Sequence, residues 1–170
     1  MNSPELTPPV TPATDWGRQG LSLKGRALRY LAAREHSRSE LMRKLKAHAP
    51  DPQALVDLLD ELQAKDLLSE ERLAQSMARV GAQRYGNARI KANLQAKGLP
   101  AELVSAAIND IEDSEQLRAH AVWAKKFGAV ATEPKERARQ MRFLASRGFS
   151  TDTIYRVIKG GAGDDLGRDF

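Results

Sequence analysis

The sequence predicts an all-α fold made of three tandem three-helix units that form an elongated, curved, solenoid-like array. Apolar residues recur at helical spacing along most of the chain, beginning at Leu23. Only 5% of the residues are aromatic, so Leu, Ala, Ile and Val must build the core, which suits packed helices better than sheets. An internal repeat completes the argument for three similar units.

The repeat becomes visible when two glycines that follow helical stretches, Gly98 and Gly148, are superimposed. Without gaps, five residues of the second unit match five of the third: Leu94, Gly98, Leu99, Val104 and Ile108 against Leu144, Gly148, Phe149, Ile154 and Ile158. Leu45, Leu55 and Leu59 occupy equivalent places in the first unit, which gives a period of about 50 residues. Because one unit is too small for a sizeable core, we expect neighbouring units to share apolar surface.

We place the units at residues 23–68, 69–112 and 113–159. Residues 1–22 hold several prolines among small polar residues and are expected to form a disordered leader. Residues 160–170, rich in Gly and Asp, are expected to form a flexible tail.

The first unit begins with a helix carrying Leu28 and Leu31. Ser37 or Ser39 can cap the second helix, and the third is expected to begin near Asp51.

In the second unit, Ser69 can cap a helix whose apolar face is expected at Leu73, Met77 and Val80. Asn87 is expected to cap a short helix that ends at Gly98 in a left-handed conformation. Leu99 and Pro100 then lead into the closing helix.

In the third unit, Ser114 can cap the first helix, and Pro134 stands where the second can begin. The inner side of that second helix is expected at Met141, Leu144 and Ala145. Ser150 or Thr151 can cap the last helix.

Positive charge is concentrated in the middle helix of each unit. The chain has a net charge of +5, and no Asp or Glu lies between Glu71 and Glu102. A polyanionic partner is therefore a natural hypothesis, although such charges can also simply solvate helices and pair between units. The candidate contact residues are Arg43, Lys44, Lys46, Arg84, Tyr85, Arg89, Lys91, Lys97, Arg139, Arg142 and Arg147. Tyr85 either stacks on a base or a partner side chain, or is structural.

The sequence gives little support for an enzyme, a metal site or a cofactor. The chain has no cysteine and no glycine-rich phosphate loop, and its three histidines, His36, His48 and His120, lack metal-ligand spacing. We expect these histidines at the surface or at helix ends. Acidic groups such as Asp57, Asp60 and Glu61 are better explained as a solvated helix face than as a magnesium site. Without cysteines, a long apolar run or a signal-peptide pattern, a cytoplasmic protein without membrane contact is expected.

Four stretches, in this order and spacing, resemble the RecX family of regulators of the RecA recombinase. They are residues 27–31 with 39–45, residues 67–74, residues 84–90 through 97–99, and residues 139–150. The resemblance covers about Leu23 to Lys159.

The resemblance implies a non-enzymatic protein, expected to be a monomer, that binds RecA and RecA filaments on single-stranded DNA. It further implies inhibition of strand exchange, ATP hydrolysis and co-protease activity, and hence control of recombination, repair and the SOS response. Direct binding to single- or double-stranded DNA is also possible. Two alternatives remain: a helix-turn-helix transcription regulator, with Arg38 to Lys46 and Gln53 to Leu62 as its crossed helices, and a protein-interaction scaffold without nucleic-acid contact.

Overall fold

The computed structural model describes residues 20–160, which form nine α-helices and no strand. In chain order the helices are α1 Leu23–Ala33, α2 Arg38–Leu45, α3 Pro52–Ala64, α4 Glu70–Ala82, α5 Asn87–Gln95, α6 Ala101–Asn109, α7 Glu115–Lys126, α8 Pro134–Ser146 and α9 Thr151–Gly160. A 3₁₀ helix, Lys46–His48, follows α2. The expected three-unit, all-α array is confirmed.

Local capping signals set most helix starts. Ser37 forms a full capping box with Glu40 at the start of α2, and Asp51 accepts a hydrogen bond from the backbone N–H of Ala54 at 2.8 Å. Ser69 and Ser114 cap α4 and α7 in the same way, as expected. The hydroxyl of Ser150, not that of Thr151, accepts from the backbone N–H of Thr153 at the start of α9.

The expected cap at Asn87 is wrong. Gly86 is the N-cap of α5, and Asn87 is its first helical residue. The side-chain oxygen of Asn87 instead accepts a hydrogen bond from Arg118 on α7. A contact from a distant helix therefore takes the polar atom that local sequence would assign to capping.

Three separate hydrophobic clusters form the core, one within each group of three helices. The first contains eight buried residues: Ala27, Leu41, Leu45, Leu55, Leu58, Leu59, Leu62 and Leu68. The second contains Leu73, Ala74, Ala78, Ala82, Ile90, Leu94, Leu99, Val104 and Ala107. The third contains Ala119, Trp123, Leu144, Phe149, Ile154, Val157 and Ile158.

The expectation that neighbouring units share apolar surface is wrong for these clusters. The closely packed helix pairs, such as α4 with α6 and α7 with α9, lie within a unit. Polar contacts join the units instead, so fewer apolar side chains are needed between them.

Two residues expected on inner faces are exposed: Val80, at 65% of its surface, and Ala145.

The expected leader and tail lie outside the described residues, apart from residues 20–22 and Gly160. Within the described part, Ser22 caps α1 and Gly160 ends α9. No helix between residues 20 and 160 is long and apolar enough to cross a bilayer.

Candidate nucleic-acid interface

The middle helices α2, α5 and α8 meet end to end, and we call them together the middle-helix column. The Ser37 hydroxyl at the start of α2 donates to the carbonyl oxygen of Lys97, just after α5, at 2.7 Å. The backbone N–H of Gly86 at the start of α5 donates to the carbonyl oxygen of Arg147, just after α8, at 2.9 Å. Because a helix start is partly positive and a helix end partly negative, both junctions are electrostatically favourable.

Glycines allow the helix ends to approach this closely. Gly98 and Gly148 have φ angles of +75° and +81°, the left-handed conformation that ends α5 and α8. A Cβ on Gly148 would lie 2.6 Å from the Cβ of Arg89, and one on Gly98 2.7 Å from Ser39 Oγ. A Cβ on Gly86 would lie 2.2 Å from the carbonyl oxygen of Gly148. A side chain on Gly86 or Gly148 would force the helix ends apart, and one on Gly98 would displace the Ser39 side chain.

A buried carboxylate neutralises the first junction, between α2 and α5. Glu40 Oε1 lies 2.6 Å from Lys97 Nζ and 3.2 Å from a guanidinium nitrogen of Arg34. Burial alone raises the pKa of Glu40, but hydrogen bonds from Arg34 and Lys97 outweigh it and lower the pKa to about 2. Lys97, a candidate contact residue, is therefore already paired within the protein.

The flanking helices add polar contacts to this first junction. Arg72 on α4 pairs with Glu35 at 2.8 Å and with Asp66 at 2.7 Å. The side chain of Glu70 accepts a hydrogen bond from the backbone N–H of Arg38 at 2.9 Å. The first and second units are thus joined by hydrogen bonds and ion pairs.

Two residues of α7, neither expected from the sequence, hold the second junction. Arg118 is buried and donates to the carbonyl oxygen of Tyr85 at 2.8 Å and to the side chain of Asn87. Burial lowers the pKa of Arg118. Glu115 accepts from the backbone N–H of Asn87 at 2.8 Å and from the hydroxyls of Ser150 and Thr153 at 2.9 and 3.0 Å.

Most candidate contact residues are exposed cations on the middle-helix column or beside it. Within residues 20–160, no carboxylate lies within 4.0 Å of eight of them: Arg43, Lys44, Lys46, Arg84, Arg89, Lys91, Arg142 and Arg147. Arg139 differs, because it lies 3.4 Å from Glu136 one turn earlier on α8. The column therefore carries cations that pairing within residues 20–160 leaves available.

Aromatic rings lie under three of these cations. The charged groups of Lys44, Arg89 and Arg147 lie 4.6, 5.6 and 4.6 Å from the ring centroids of Tyr30, Tyr85 and Phe143, respectively.

Tyr85 is half-buried against the second hydrophobic cluster. It precedes the N-cap of α5, where an apolar side chain fixes the angle at which the chain enters a helix. Its contacts within residues 20–160 thus give Tyr85 a structural role.

Histidines contribute no cluster to this surface. His36 lies at a helix end, as expected, directly before the N-cap of α2, but it is buried, and its Nδ1 lies 2.9 Å from the carbonyl oxygen of Arg34. Burial lowers the pKa of His36. His48 and His120 are exposed. Residues 20–160 contain no group of three or more His, Cys, Asp or Glu placed to hold a metal ion.

An open groove of about 890 Å³ lies between α4 and α7, outside the middle-helix column. Its lining mixes the charged side chains Arg79, Asp110 and Glu112 with the apolar side chains of Ile111 and Leu117.

The fold and this surface define a tandem helical-repeat protein with a cation-bearing column of middle helices. More particularly, the chain belongs to the RecX family. Models of the first, second and third three-helix domains of RecX match residues 24–62, 69–108 and 113–158.

Relatives of similar length support this assignment. The chain is 49% identical to the regulatory protein RecX of Leptothrix cholodnii and 43% identical to that of Ralstonia nicotianae, each over 84% of this chain and 90% of the relative. The crystal structure of RecX from Lactobacillus salivarius matches with a TM-score of 0.71 at 22% identity, over 81% of this chain and 92% of that one. The structural match supports the fold.

Proposed function

We propose that this protein binds the RecA recombinase and its filaments on single-stranded DNA, and thereby inhibits recombinase, ATPase and co-protease activities. Family membership supplies the regulatory role. The observation that carries the proposal is the end-to-end column of α2, α5 and α8, on or beside which eight of the candidate cations have no carboxylate within 4.0 Å among residues 20–160. Such a surface suits DNA phosphates or an acidic face of the filament.

The arrangement in series suits a repeating partner. We propose that residues 23–68, 69–112 and 113–159 each supply one patch of the contact surface. Individually weak patches on a connected body bind far more tightly together than separately, because the second and third contacts are intramolecular. A monomer acting in the cytoplasm would then be sufficient to engage several points of one filament and to regulate repair, recombination and the SOS response.

The test compares two triple variants on preformed RecA filaments while ATP hydrolysis is followed. In the first, Arg43, Arg84 and Arg89 become alanine; all three are exposed cations of the column without a carboxylate partner in the described part of the chain. Lys97 is left intact, because removing it would unpair the buried Glu40. In the control, Arg79, Lys125 and Lys159 become alanine, which removes the same charge from exposed positions on α4, α7 and α9.

We expect the wild type and the control to inhibit ATP hydrolysis, and the column variant to need at least tenfold more protein for the same inhibition. Its affinity for single-stranded DNA should also depend less on salt, by about 0.7 log unit per log unit of salt for each phosphate contact that the substitutions remove. Equal inhibition of ATP hydrolysis by both variants would mean that the column is not part of the interface. A wild-type protein without any effect on the filaments would contradict the function itself and favour the scaffold or the transcription regulator.

A further inference from the structure

The two junctions of the middle-helix column join equivalent residues but have opposite electrostatics; the donor is the Ser37 hydroxyl at the first and the Gly86 backbone N–H at the second. At each, the N-cap residue of one helix bonds to the carbonyl of the residue before a left-handed glycine: Ser37 to Lys97, and Gly86 to Arg147. Three residues after these N-caps stand Glu40 in α2 and Arg89 in α5. Arg89 therefore occupies the place in the second junction that Glu40 occupies in the first.

This exchange leaves the second junction without the carboxylate that neutralises the first. Glu40 lies 2.6 Å from Lys97, whereas the equivalent pair at the second junction, Arg89 and Arg147, consists of two cations. Arg84 lies beside this pair along the chain, and its backbone carbonyl oxygen accepts a hydrogen bond from the Arg147 guanidinium at 3.4 Å. We call Arg84, Arg89 and Arg147 the arginine cluster.

The carboxylate at this junction, that of Glu115, is already engaged in hydrogen bonds with groups other than these arginines. Both oxygens of Glu115 accept hydrogen bonds, one from the backbone N–H of Asn87 and the other from the hydroxyls of Ser150 and Thr153. The three arginines of the cluster have no carboxylate within 4.0 Å among residues 20–160.

Cation–π contacts hold two of these guanidinium groups beside aromatic rings. Arg89 lies over Tyr85, and Arg147 lies over Phe143. A cation–π contact uses no N–H group of a guanidinium, so the N–H groups that make no other hydrogen bond can still bind phosphate oxygens. The rings of Tyr85 and Phe143 are half-buried and lie beneath the two arginines. The cluster is therefore suited to phosphate contact and not to base stacking.

We propose that the arginine cluster is the principal phosphodiester-binding site of the column, and that the first junction is a self-neutralised structural joint. This inference rests on the proposed function and makes it more specific, since it assigns nucleic-acid contact unequally among three equivalent helices. The remaining cations of the column add non-specific attraction. Sequence-independent binding is expected, because phosphates carry no base identity.

The experiment exchanges the electrostatics of the two junctions. Arg89→Glu gives the second junction a glutamate at the place where the first has Glu40. The new carboxylate can pair with Arg147 as Glu40 pairs with Lys97. A glutamate in the first turn of a helix is favourable, so this variant should remain folded. Glu40→Gln releases Lys97 and Arg34 while a residue suited to the capping box stays in place. Arg43→Glu is the matched control, an exposed cation of α2 that has no carboxylate partner within residues 20–160.

The readout is the fluorescence anisotropy of labelled oligothymidylate, titrated at several salt concentrations, with a duplex of the same length as a second arm. Arg89→Glu should weaken binding about tenfold or more and flatten the salt dependence by about 1.4 log units per log unit, equal to the removal of two phosphate contacts. Arg43→Glu should flatten it by about 0.7, and Glu40→Gln should steepen it. Equal weakening of binding to oligothymidylate and to the duplex would support a phosphodiester site that accepts either form. A larger loss of affinity for oligothymidylate would support a site for single strands.

Other outcomes would overturn the assignment. If Arg89→Glu weakens binding no more than Arg43→Glu while the wild type still inhibits RecA, the contacts are spread evenly and only this inference fails. If Arg89→Glu retains its affinity for both nucleic acids but no longer inhibits RecA, the cluster binds an acidic protein surface. Arg89→Gln removes the cation without reversing its charge and should change the affinity for nucleic acid in the same direction as Arg89→Glu. Agreement between the two variants would exclude a folding defect caused by the introduced negative charge. If the wild type neither binds DNA nor affects RecA, the proposed function fails first.

Discussion

Glu40 shows how one buried side chain serves both a helix and a junction. It completes the capping box of α2 and pairs with Lys97 beyond the end of α5. Sequence patterns single out neither role: a buried carboxylate breaks the apolar periodicity, and its partner lies 57 residues away. The sequence likewise does not single out Glu115 and Arg118, because they contact Asn87 and Tyr85 of another unit.

The ionisation of Glu40 should make stability depend on pH. Its pKa is about 2 in the folded protein and near 4.5 when unperturbed, so its contribution is complete above pH 4.5 and is lost as the pH falls towards 2. We expect the wild type to lose on the order of 1–3 kcal/mol from this source across that range, and Glu40→Gln to lose much less of its own stability. Urea unfolding followed by circular dichroism at a series of pH values measures both.

Glu61→Gln is the control for this titration. The pKa of Glu61 is also lowered to about 2, by hydrogen bonds from Lys24 and Lys65, but the group is solvent-exposed. Salt should therefore suppress the contribution of Glu61 and leave most of that of Glu40. Parallel pH curves for wild type and Glu40→Gln would contradict the assignment.

At the scale of elements, the sequence predicts what is decided locally. Ser69, Ser114 and Asp51 cap helices as expected, because capping depends on a side chain and a backbone N–H three residues away. Asn87 fails as a cap because Arg118, on a distant helix, binds its side chain. The charges of the candidate contact residues can likewise be read from the sequence. The pairing of Lys97 with Glu40, which Arg89 lacks, depends instead on how the helices meet.

Ser37 should contribute more than an ordinary helix cap. Its hydroxyl accepts from the backbone N–H of Glu40 and also donates to the carbonyl oxygen of Lys97, and the residue is fully buried. Ser37→Ala should therefore cost about 2 kcal/mol, against about 1 kcal/mol for Ser114→Ala, whose exposed cap serves only α7. Chemical denaturation of both variants gives the difference, and equal costs would mean that the bond to Lys97 contributes nothing measurable.

At the scale of the whole molecule, the gapless repeat predicts three units but not how they are joined. Leu45, Leu94 and Leu144 occupy equivalent positions and are each fully buried, as the repeat requires. The junctions escape prediction because hydrogen bonds between backbone groups, such as that from Gly86 to Arg147, leave little trace in side-chain patterns.

Separate cores with polar junctions predict that damage in one unit remains partly local. Leu144→Ala should remove about 2–5 kcal/mol of stability by leaving a cavity in the third cluster. Because repeat proteins couple mainly between neighbours, hydrogen exchange should then accelerate most in α7–α9, less in α4–α6 and least in α1–α3. Leu45→Ala, the equivalent change in the first cluster, should reverse this order. Mass spectrometry of exchanged peptides reads all nine described helices at once, and equal acceleration along the chain in both variants would show that the polar junctions make the array one cooperative unit.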